Sequence, residues 1–192
     1  KEAMAMGADD GFLLSDRQFA GADTLATAYT LAQGIQKRGG FDLVICGRMA
    51  TDGDTAQVPP ILAEFLGIPC LTDICQIISA NEALLRCRRM GDDRYSIWEV
   101  KLPALITVTK EINVPRLPSI AGLRYAAGHP VTTWSAADFP GMDKERIGLQ
   151  GSATQVKRTF VPKQEIITRM IGGSPDQQAA ELADELARLH II

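Results

Sequence analysis

Short apolar runs alternate with amphipathic stretches in the first part of the chain. Gly11–Leu14 and Phe41–Cys46 have strand length, and the second is nearly apolar throughout, as expected of a parallel strand covered on both faces. Between them, apolar residues recur at i, i+3, i+4 and i+7, which predicts a helix that opens at Ala22 or Asp23 and ends at Gly39. Its expected buried stripe is Leu25, Ala28, Tyr29, Ala32 and Ile35.

A second amphipathic stretch follows the second strand. It ends at Gly67, and Pro59 and Pro60 belong near its start because proline has no backbone donor. The resulting βαβα alternation is typical of an α/β protein with a largely parallel sheet. The apolar stripe of this helix is Val58, Ile61, Leu62, Phe65 and Leu66.

The pattern then changes to period two, which predicts a run of strands. We interpret four of them as a consecutive antiparallel meander: Asp73–Ser79, Ala83–Met90, Arg94–Lys101 and Leu105–Thr109. Val131–Trp134 predicts a last strand, and Ser135 is suited to cap a helical turn after it. We therefore expect residues 1–140 to form a three-layer α/β/α, Rossmann-like nucleotide-binding domain with a mixed, largely parallel sheet.

The final part of the chain has a different composition. Glycines, prolines and charges dominate from Gly141 to Ser174, where Ser174 and Pro175 are an apt N-cap and first residue of a helix. One apolar stripe follows, at Leu182, Leu186 and Leu189. Such a segment has a poor core of its own, so we expect 141–192 to be an extended arm that packs on a partner subunit.

Composition narrows the class of protein. The chain has 192 residues, 46% of them hydrophobic and 22% charged, which suits one packed domain. Its net charge of −3 and pI near 5.4 argue against non-specific nucleic-acid binding. There is no run of roughly 18 apolar residues to span a bilayer and no signal peptide, so a cytoplasmic location is expected. The first ten residues resemble the end of a helix closed by Gly7, and we expect the sequence to begin partway through a longer protein.

The chain offers little catalytic chemistry. It contains no G-x-x-x-x-G-K-[ST] motif, no G-x-G-x-x-G motif and no nucleophile elbow, and we predict no catalytic or metal-binding residue. Asp52 and Asp54 could bind Mg²⁺ or act as acid and base, but they fit equally well a turn in which Asp bonds its own backbone. The cysteines lack a zinc spacing and are interpreted as buried small residues: Cys46, Cys70, Cys75 and Cys87.

The segment Cys46–Ala56, CGRMATDGDTA, is the most informative stretch of the chain. It leads from the end of a buried strand towards the start of a helix. At such turns α/β proteins hold nucleotides, because free backbone N–H groups and the positive end of the helix face the ligand. Spacing alone leaves this hypothesis level with a plain strand-to-helix connection.

Four blocks in the right order resemble the β subunit of electron transfer flavoproteins. They are LLSDRQFAGADTLATAYTLA at Leu13–Ala32, DLVICGRMATDGDTAQV at Asp42–Val58, LPALITVTKEINVPRLPS at Leu102–Ser119 and GLQGSATQVKRTF at Gly148–Phe160. The resemblance covers nearly the whole chain. It implies a heterodimer with an electron transfer flavoprotein α subunit that holds the main FAD, and a role in carrying electrons from an acyl-CoA or other dehydrogenase to a further acceptor. The chain would be a carrier subunit rather than a self-sufficient enzyme, with no membrane insertion.

The same resemblance implies that the turn holds an adenine nucleotide. In the ordinary type this is AMP, and in the electron-bifurcating type it is a second FAD that accepts hydride from NADH. The motif D-G-D-T-A-Q-V at Asp52–Val58 is more similar to that of bifurcating members, but the choice between AMP and FAD stays open. Backbone amides of Gly53, Asp54, Thr55 and Ala56 are the expected phosphate ligands. The expected cofactor-binding residues are Cys46, Gly47, Arg48, Asp52, Gly53, Asp54, Thr55, Ala56, Gln57 and Val58.

A docking segment is also implied by the resemblance. In the family, the stretch at Pro115–Arg124 contacts a dehydrogenase, and the expected docking residues are Pro118, Ser119, Ile120 and Leu123. The residues alone slightly favour a different interpretation, a short helix that packs on its own domain through its apolar side chains. The segment after it, Arg124–His129, is almost uncharged where many relatives are lysine-rich, which puts the usual choice of partner in doubt.

Other departures from the family pattern affect the nucleotide site. Pro59 replaces a usual glycine and stiffens the loop. The family's first strand and one pocket-lining loop precede the position of Lys1, and a chain without them could not complete the pocket. Two further hypotheses therefore stay open: a stand-alone nucleotide-binding module of the stress-protein type, and a structural interaction protein that binds no nucleotide.

Overall fold

The computed structural model describes residues 1–51, 53–161 and 168–191. The chain divides into two compact units, residues 1–155 and 156–192. The helices of the first unit are α1 (Glu2–Ala5), α2 (Thr24–Arg38), α3 (Val58–Leu66) and α4 (Ile120–Gly128). Its strands are β1 (Phe12–Leu14), β2 (Leu43–Gly47), β3 (Cys70–Ala80), β4 (Leu84–Met90), β5 (Tyr95–Lys101), β6 (Ala104–Val108) and β7 (Thr132–Trp134). The predicted α/β class, with a mixed and largely parallel sheet flanked by helices, is confirmed.

The strands form two sheets. β1 pairs in parallel with β7, and the other five strands follow the order β2-β6-β3-β4-β5. β6 runs parallel to both β2 and β3, whereas β4 is antiparallel to β3 and β5. The expectation that all four period-two strands form one meander is wrong for the last of them. Because Ala104, Leu105 and Ile106 are fully buried, β6 belongs in the middle of the sheet.

Local capping sets the limits of α2 where the sequence predicts them. The Asp23 carboxylate accepts hydrogen bonds from the amides of Leu25 and Ala26, at 2.9 and 3.0 Å. Gly39, with φ of 62°, ends the helix. In the predicted stripe, Ala28, Tyr29 and Ala32 are buried and Ile35 is half-buried, whereas Leu25 lies exposed in the first turn. Together with α3, this stripe covers β6. The cluster consists of Ala28 and Ala32 from α2, Leu62 and Ala63 from α3, and Leu105 from β6.

β2 is less covered than its apolar sequence predicts. Val44 and Cys46 face the cluster formed with the two helices, but Ile45 between them is 57% exposed. The expectation that both faces are covered is therefore wrong. In the described part of the chain, β2 is an edge strand with β6 as its one neighbour. An apolar cavity of about 410 Å³ lies between β2 and β1, with Phe12 and Leu14 in its wall.

Residues 141–155 belong to the first unit. Met142 and Ile147 are buried against Tyr29, whose hydroxyl accepts a hydrogen bond from the Asp143 amide at 3.0 Å. Gly148 has φ of 57° and lies so close to the Gln18 carbonyl that a Cβ would come within 2.1 Å of its oxygen. These contacts belong to the first compact unit, which extends to residue 155.

The first helix ends as the sequence predicts. The amides of Gly7 and Ala8 donate to the carbonyls of Met4 and Ala3, at 3.1 and 3.0 Å, and close α1 in a Schellman motif. α4 packs against this short helix, and Met4 and Ala5 form a small core with Ala126.

The second unit contains the predicted final helix, α5 (Pro175–Arg188). Ser174 caps it, and the Ser174 amide in turn donates a hydrogen bond to the Gln177 side-chain oxygen, which completes a capping box. Arg169 forms ion pairs with Glu181 and Glu185 of the helix. Among the described helices of the chain, none is long and apolar enough to cross a membrane.

Candidate functional site

The candidate site begins at the carboxyl edge of the parallel strands. β2 ends at Gly47, which is paired with Val108 at the end of β6, so both strands stop at the same level. The turn that follows leads into α3. Such an edge, where strands end and a helix begins, is the usual place for a ligand in an open α/β sheet.

The turn itself has an uncommon backbone conformation. Asp54 and Ala56 have φ of 51° and 53°, in the left-handed region that residues with a Cβ seldom adopt. Thr55 between them has negative φ. This alternation of handedness is found in backbone nests that bind anions, and strain of this kind tends to persist at functional sites.

The amides of the turn are not all available to a ligand. The Asp54 amide donates to the Ala50 carbonyl at 2.9 Å, so the expectation that it is a free phosphate donor is wrong. Within the described residues, the amides of Thr55 and Ala56 make no backbone or side-chain hydrogen bond, and both residues are exposed. Asp52, which the sequence also nominates, lies outside the described residues.

The start of α3 adds to this open group of donors. Gln57 is its N-cap but makes no side-chain cap bond, and Pro59 and Pro60 in the first turn have no N–H. The first helical bond runs from the Ile61 amide to the Gln57 carbonyl, at 3.2 Å. The positive end of the helix is therefore uncapped, and Val58 alone of its first three residues carries a backbone N–H, which makes no hydrogen bond among the described residues.

The side chain of Gln57 reaches the neighbouring helix instead. Its Oε1 accepts a hydrogen bond from the Thr24 hydroxyl at 3.0 Å, so the N-termini of α2 and α3 are joined beside the turn. Sequence reasoning missed Thr24. Its position one residue after an N-cap marks a helix start, but nothing in the sequence connects it with a residue 33 positions later.

Arg48 is already engaged in an ion pair. Its Nε lies 3.1 Å from the carboxylate of Asp73 on β3, which also lies 3.8 Å from Arg89. Because Asp73 is shared between two guanidinium groups, Arg48 would have to leave or share this pair to neutralise a phosphate. The structure brings Arg48 to the predicted edge of the sheet but turns it towards β3.

Two groups under the turn are shielded from water. Cys46 is half-buried, and desolvation raises the pKa of its thiol, so it serves as an apolar wall rather than a nucleophile. Sequence reasoning also missed Thr109, directly after β6, whose buried hydroxyl has no hydrogen-bond partner of normal geometry among the described residues. This hydroxyl lies near enough to the Glu111 carboxyl to lower its pKa.

The candidate site is an open surface. Arg48–Ala50 and Gly53–Gln57 are exposed, and none of the predicted ligand residues lines the 410 Å³ cavity between β1 and β2. Among the residues that the structure describes, no cluster of His, Cys, Asp or Glu could hold a metal ion. The arrangement can bind an anion through backbone amides, and the described residues of the turn bring no acid–base pair together.

The predicted docking residues lie on another surface. Ser119 caps α4 by accepting a hydrogen bond from the Gly122 amide at 2.9 Å, and Pro118 precedes it on the exposed approach. Ile120 is 75% exposed and Leu123 is 54% exposed. The interpretation that these two side chains pack on their own domain is therefore wrong, because α4 turns Ala126, on another face, towards the core.

Comparison with known proteins assigns the family. The sequence model of the electron transfer flavoprotein domain matches residues 1–139. The chain belongs to the electron transfer flavoprotein family. Electron transfer with an associated flavin or nucleotide is the function of this family, and no match supports a stand-alone stress-type module.

Relatives of known role match over the whole chain. The electron transfer flavoprotein subunit β of Thermoanaerobacterium thermosaccharolyticum is 43% identical over 192 residues, which are 100% of this chain and 73% of the relative. The caffeyl-CoA reductase–Etf complex subunit CarD of Acetobacterium woodii is 44% identical, with the same shares covered. The subunit β of Clostridium acetobutylicum is 42% identical, again over 100% of this chain and 73% of the relative. The resemblance to β subunits of this family is confirmed.

Proposed function

We propose that the turn from Gly47 to Val58 holds the phosphate of an adenine nucleotide. The observation that carries this proposal is the pair of exposed amides at Thr55 and Ala56, which make no hydrogen bond among the described residues and lie in a left-handed turn directly before an uncapped helix. Each charge-assisted hydrogen bond to a phosphate contributes about 1.5–3 kcal/mol, and the helix end adds roughly 0.3–1 kcal/mol. The Thr55 hydroxyl supplies a further donor, and Gly53 permits close approach of the ligand.

The rest of the proposed site surrounds this anion hole. Cys46 and Gly47, at the end of β2, would lie against the adenosine, and Gln57 and Val58 would close the pocket beside the helix. Arg48 and Asp52 are further proposed ligands of the nucleotide. Arg48 can contact the phosphate only when its ion pair with Asp73 breaks. The nucleotide is AMP or the adenylate half of a second FAD. Subunits of CoA-reductase complexes are among the relatives, which supports including the bifurcating type as a candidate.

We propose that the chain works in a heterodimer with an electron transfer flavoprotein α subunit, which holds the main FAD. Two exposed features support a role in assembly. In the second unit, Leu182 of α5 and Leu189, its C-cap residue, are about half exposed, so the helix has an apolar stripe to offer the α subunit. In the first unit, Ile120 and Leu123 present an apolar anchor to an acyl-CoA or other dehydrogenase.

The nucleotide assignment is tested by extraction from the complex. The chain is co-expressed with its α subunit, the protein is denatured, and released nucleotides are identified by mass spectrometry. One AMP in addition to one FAD per heterodimer indicates the ordinary type, and two FAD indicate the bifurcating type. Finding one FAD and no other adenylate would contradict the proposed site.

A charge variant tests the position of the phosphate. Thr55→Glu removes the hydroxyl donor and places a carboxylate beside the proposed phosphate, which repels it, so we expect loss of most of the β-site nucleotide with an unchanged melting temperature. The matched control is Ala83→Glu, which makes the same charge change in the exposed turn between β3 and β4. Full nucleotide occupancy in Thr55→Glu would show that the phosphate lies elsewhere.

A further inference from the structure

The hydrogen bond between Thr24 and Gln57 fixes which half of the Gln57 amide is free. A primary amide has one oxygen acceptor and one NH₂ group with two donors. Thr24 Oγ1 donates to Gln57 Oε1 at 3.0 Å, so the oxygen faces α2 and the NH₂ group points away from it. Within the described residues that NH₂ group makes no hydrogen bond, so neither of its donors has an acceptor among them.

We propose that Thr24 is a positioning residue for the nucleotide site, acting through the side chain of Gln57. The proposal rests on the proposed function, since it concerns the same site. Thr24 would hold Gln57 with its two N–H donors directed at a phosphate or ribose oxygen of the nucleotide. Without Thr24 the amide can rotate and present its oxygen, which repels those acceptors.

Thr24 is a suitable anchor because its own position is fixed. It is the first residue of α2, and the preceding residue, Asp23, caps that helix. The Asp23 carboxylate also accepts from the Thr154 amide at 2.9 Å, and the Asp23 amide donates to the Ser152 hydroxyl at 2.8 Å. The backbone beside Thr24 is thus held from both the helix and the 148–155 segment.

Gln57 needs such an anchor. It is an exposed residue whose side chain does not cap its own helix, and an unrestrained glutamine of this kind populates many rotamers. Holding it in one rotamer before the ligand arrives lowers the entropic cost of binding. The effect should therefore appear in nucleotide affinity and not in the stability of the fold.

The inference is tested with AMP, whose adenylate group is shared by both candidate nucleotides. The nucleotide-stripped heterodimer is titrated with AMP by calorimetry for the wild type and for Thr24→Val, Thr24→Ser, Gln57→Ala and the Thr24→Val/Gln57→Ala double variant. Thr24→Val keeps the shape of the side chain but cannot hydrogen-bond, and we expect a Kd about fivefold weaker. Thr24→Ser keeps the hydroxyl and should bind within about twofold of wild type.

The double variant separates positioning from a general structural effect. If Thr24 acts through Gln57, the double variant binds no more weakly than Gln57→Ala alone. Additive losses, or wild-type affinity in Thr24→Val, would overturn the inference while leaving the proposed function intact. Failure of the wild type to bind AMP would overturn both. The melting temperature of each variant, measured by circular dichroism, should match that of the wild type.

Discussion

Replacement of Asp23 should reveal how much one carboxylate contributes to the first unit. Its two oxygens accept hydrogen bonds from the amides of Leu25 and Ala26 in α2 and from the amide and hydroxyl of Thr154, at 2.9–3.1 Å. Asp23→Ala removes a helix cap, worth about 1 kcal/mol, and two bonds to Thr154, worth about 0.5–1 kcal/mol each. We expect the free energy of unfolding to fall by about 2–3 kcal/mol.

The assay is urea unfolding of the heterodimer and of the chain alone, followed by circular dichroism. A loss of this size corresponds to a melting temperature lower by roughly 5–10 °C for a chain of this length. Asp23→Asn should lose about half as much, because its amide oxygen can still cap α2 but its NH₂ group cannot accept from Thr154. Asp9→Ala is the control, since Asp9 is exposed and its side chain makes no hydrogen bond among the described residues.

The pH dependence gives an independent check. Desolvation raises the pKa of Asp23, but hydrogen bonds from Ala26 and Thr154 outweigh it, and the pKa lies below the ordinary value. Because the carboxyl has a lower pKa folded than unfolded, its contribution is complete above about pH 5 and is lost as the pH falls below about 4. Asp23→Asn should not show this loss. If Asp23→Ala were as stable as Asp9→Ala at pH 7, the account of this carboxylate would be refuted.

Two further outcomes follow from packing and exposure. Gly122→Ala should destabilise the protein by more than 1 kcal/mol, because a Cβ there would lie 2.1 Å from the Ala5 carbonyl oxygen, whereas Gly128→Ala has open space and should be neutral in urea unfolding. Ile120→Glu should leave stability unchanged but weaken electron transfer from the partner dehydrogenase at least tenfold in a dye-reduction assay. Equal rates with Ile120→Glu and wild type would remove Ile120 from the docking surface.

Local chemistry made parts of the fold predictable from sequence. The limits of α2 follow from Asp23 and Gly39, and the start of α5 follows from Ser174, because each cap acts within a few residues of itself. The antiparallel strands β3 to β5 were also found, since adjacent strands joined by short turns pair with each other by default.

The prediction placed β6 in the antiparallel meander, although its composition is that of a central parallel strand. Ala104–Val108 is apolar except for Thr107, a pattern that is typical of a central parallel strand rather than of a half-exposed meander strand. Its place in the sheet depends on pairing with β2, some sixty residues earlier. The spacing of apolar residues within one strand does not predict which distant strand it pairs with. The contacts of residues 141–155 with the rest of the first unit were not predictable either, because Met142 and Ile147 are isolated apolar residues that pack against Tyr29.

For the candidate site, the sequence indicated the location better than the details. The strand-to-helix turn lies where predicted, at the carboxyl edge of the sheet. The left-handed conformations of Asp54 and Ala56 determine which amides of the turn are free. Neither residue type requires that conformation, so the sequence did not predict it. The contact between Thr24 and Gln57 arises from the packing of two helices, so it was visible only in three dimensions.

In the 192-residue chain, the edge position of β2 predicts where backbone amides exchange with solvent. A strand in a parallel sheet directs alternate amides to its two sides, and one side of β2 faces β6 while the other faces the groove beside β1. Amide hydrogens on the groove side should exchange quickly with solvent deuterium, whereas those of β6 should exchange only through global opening. The turn that follows Gly47 therefore continues from the strand that opens more readily, while its neighbour β6 stays fixed inside the sheet.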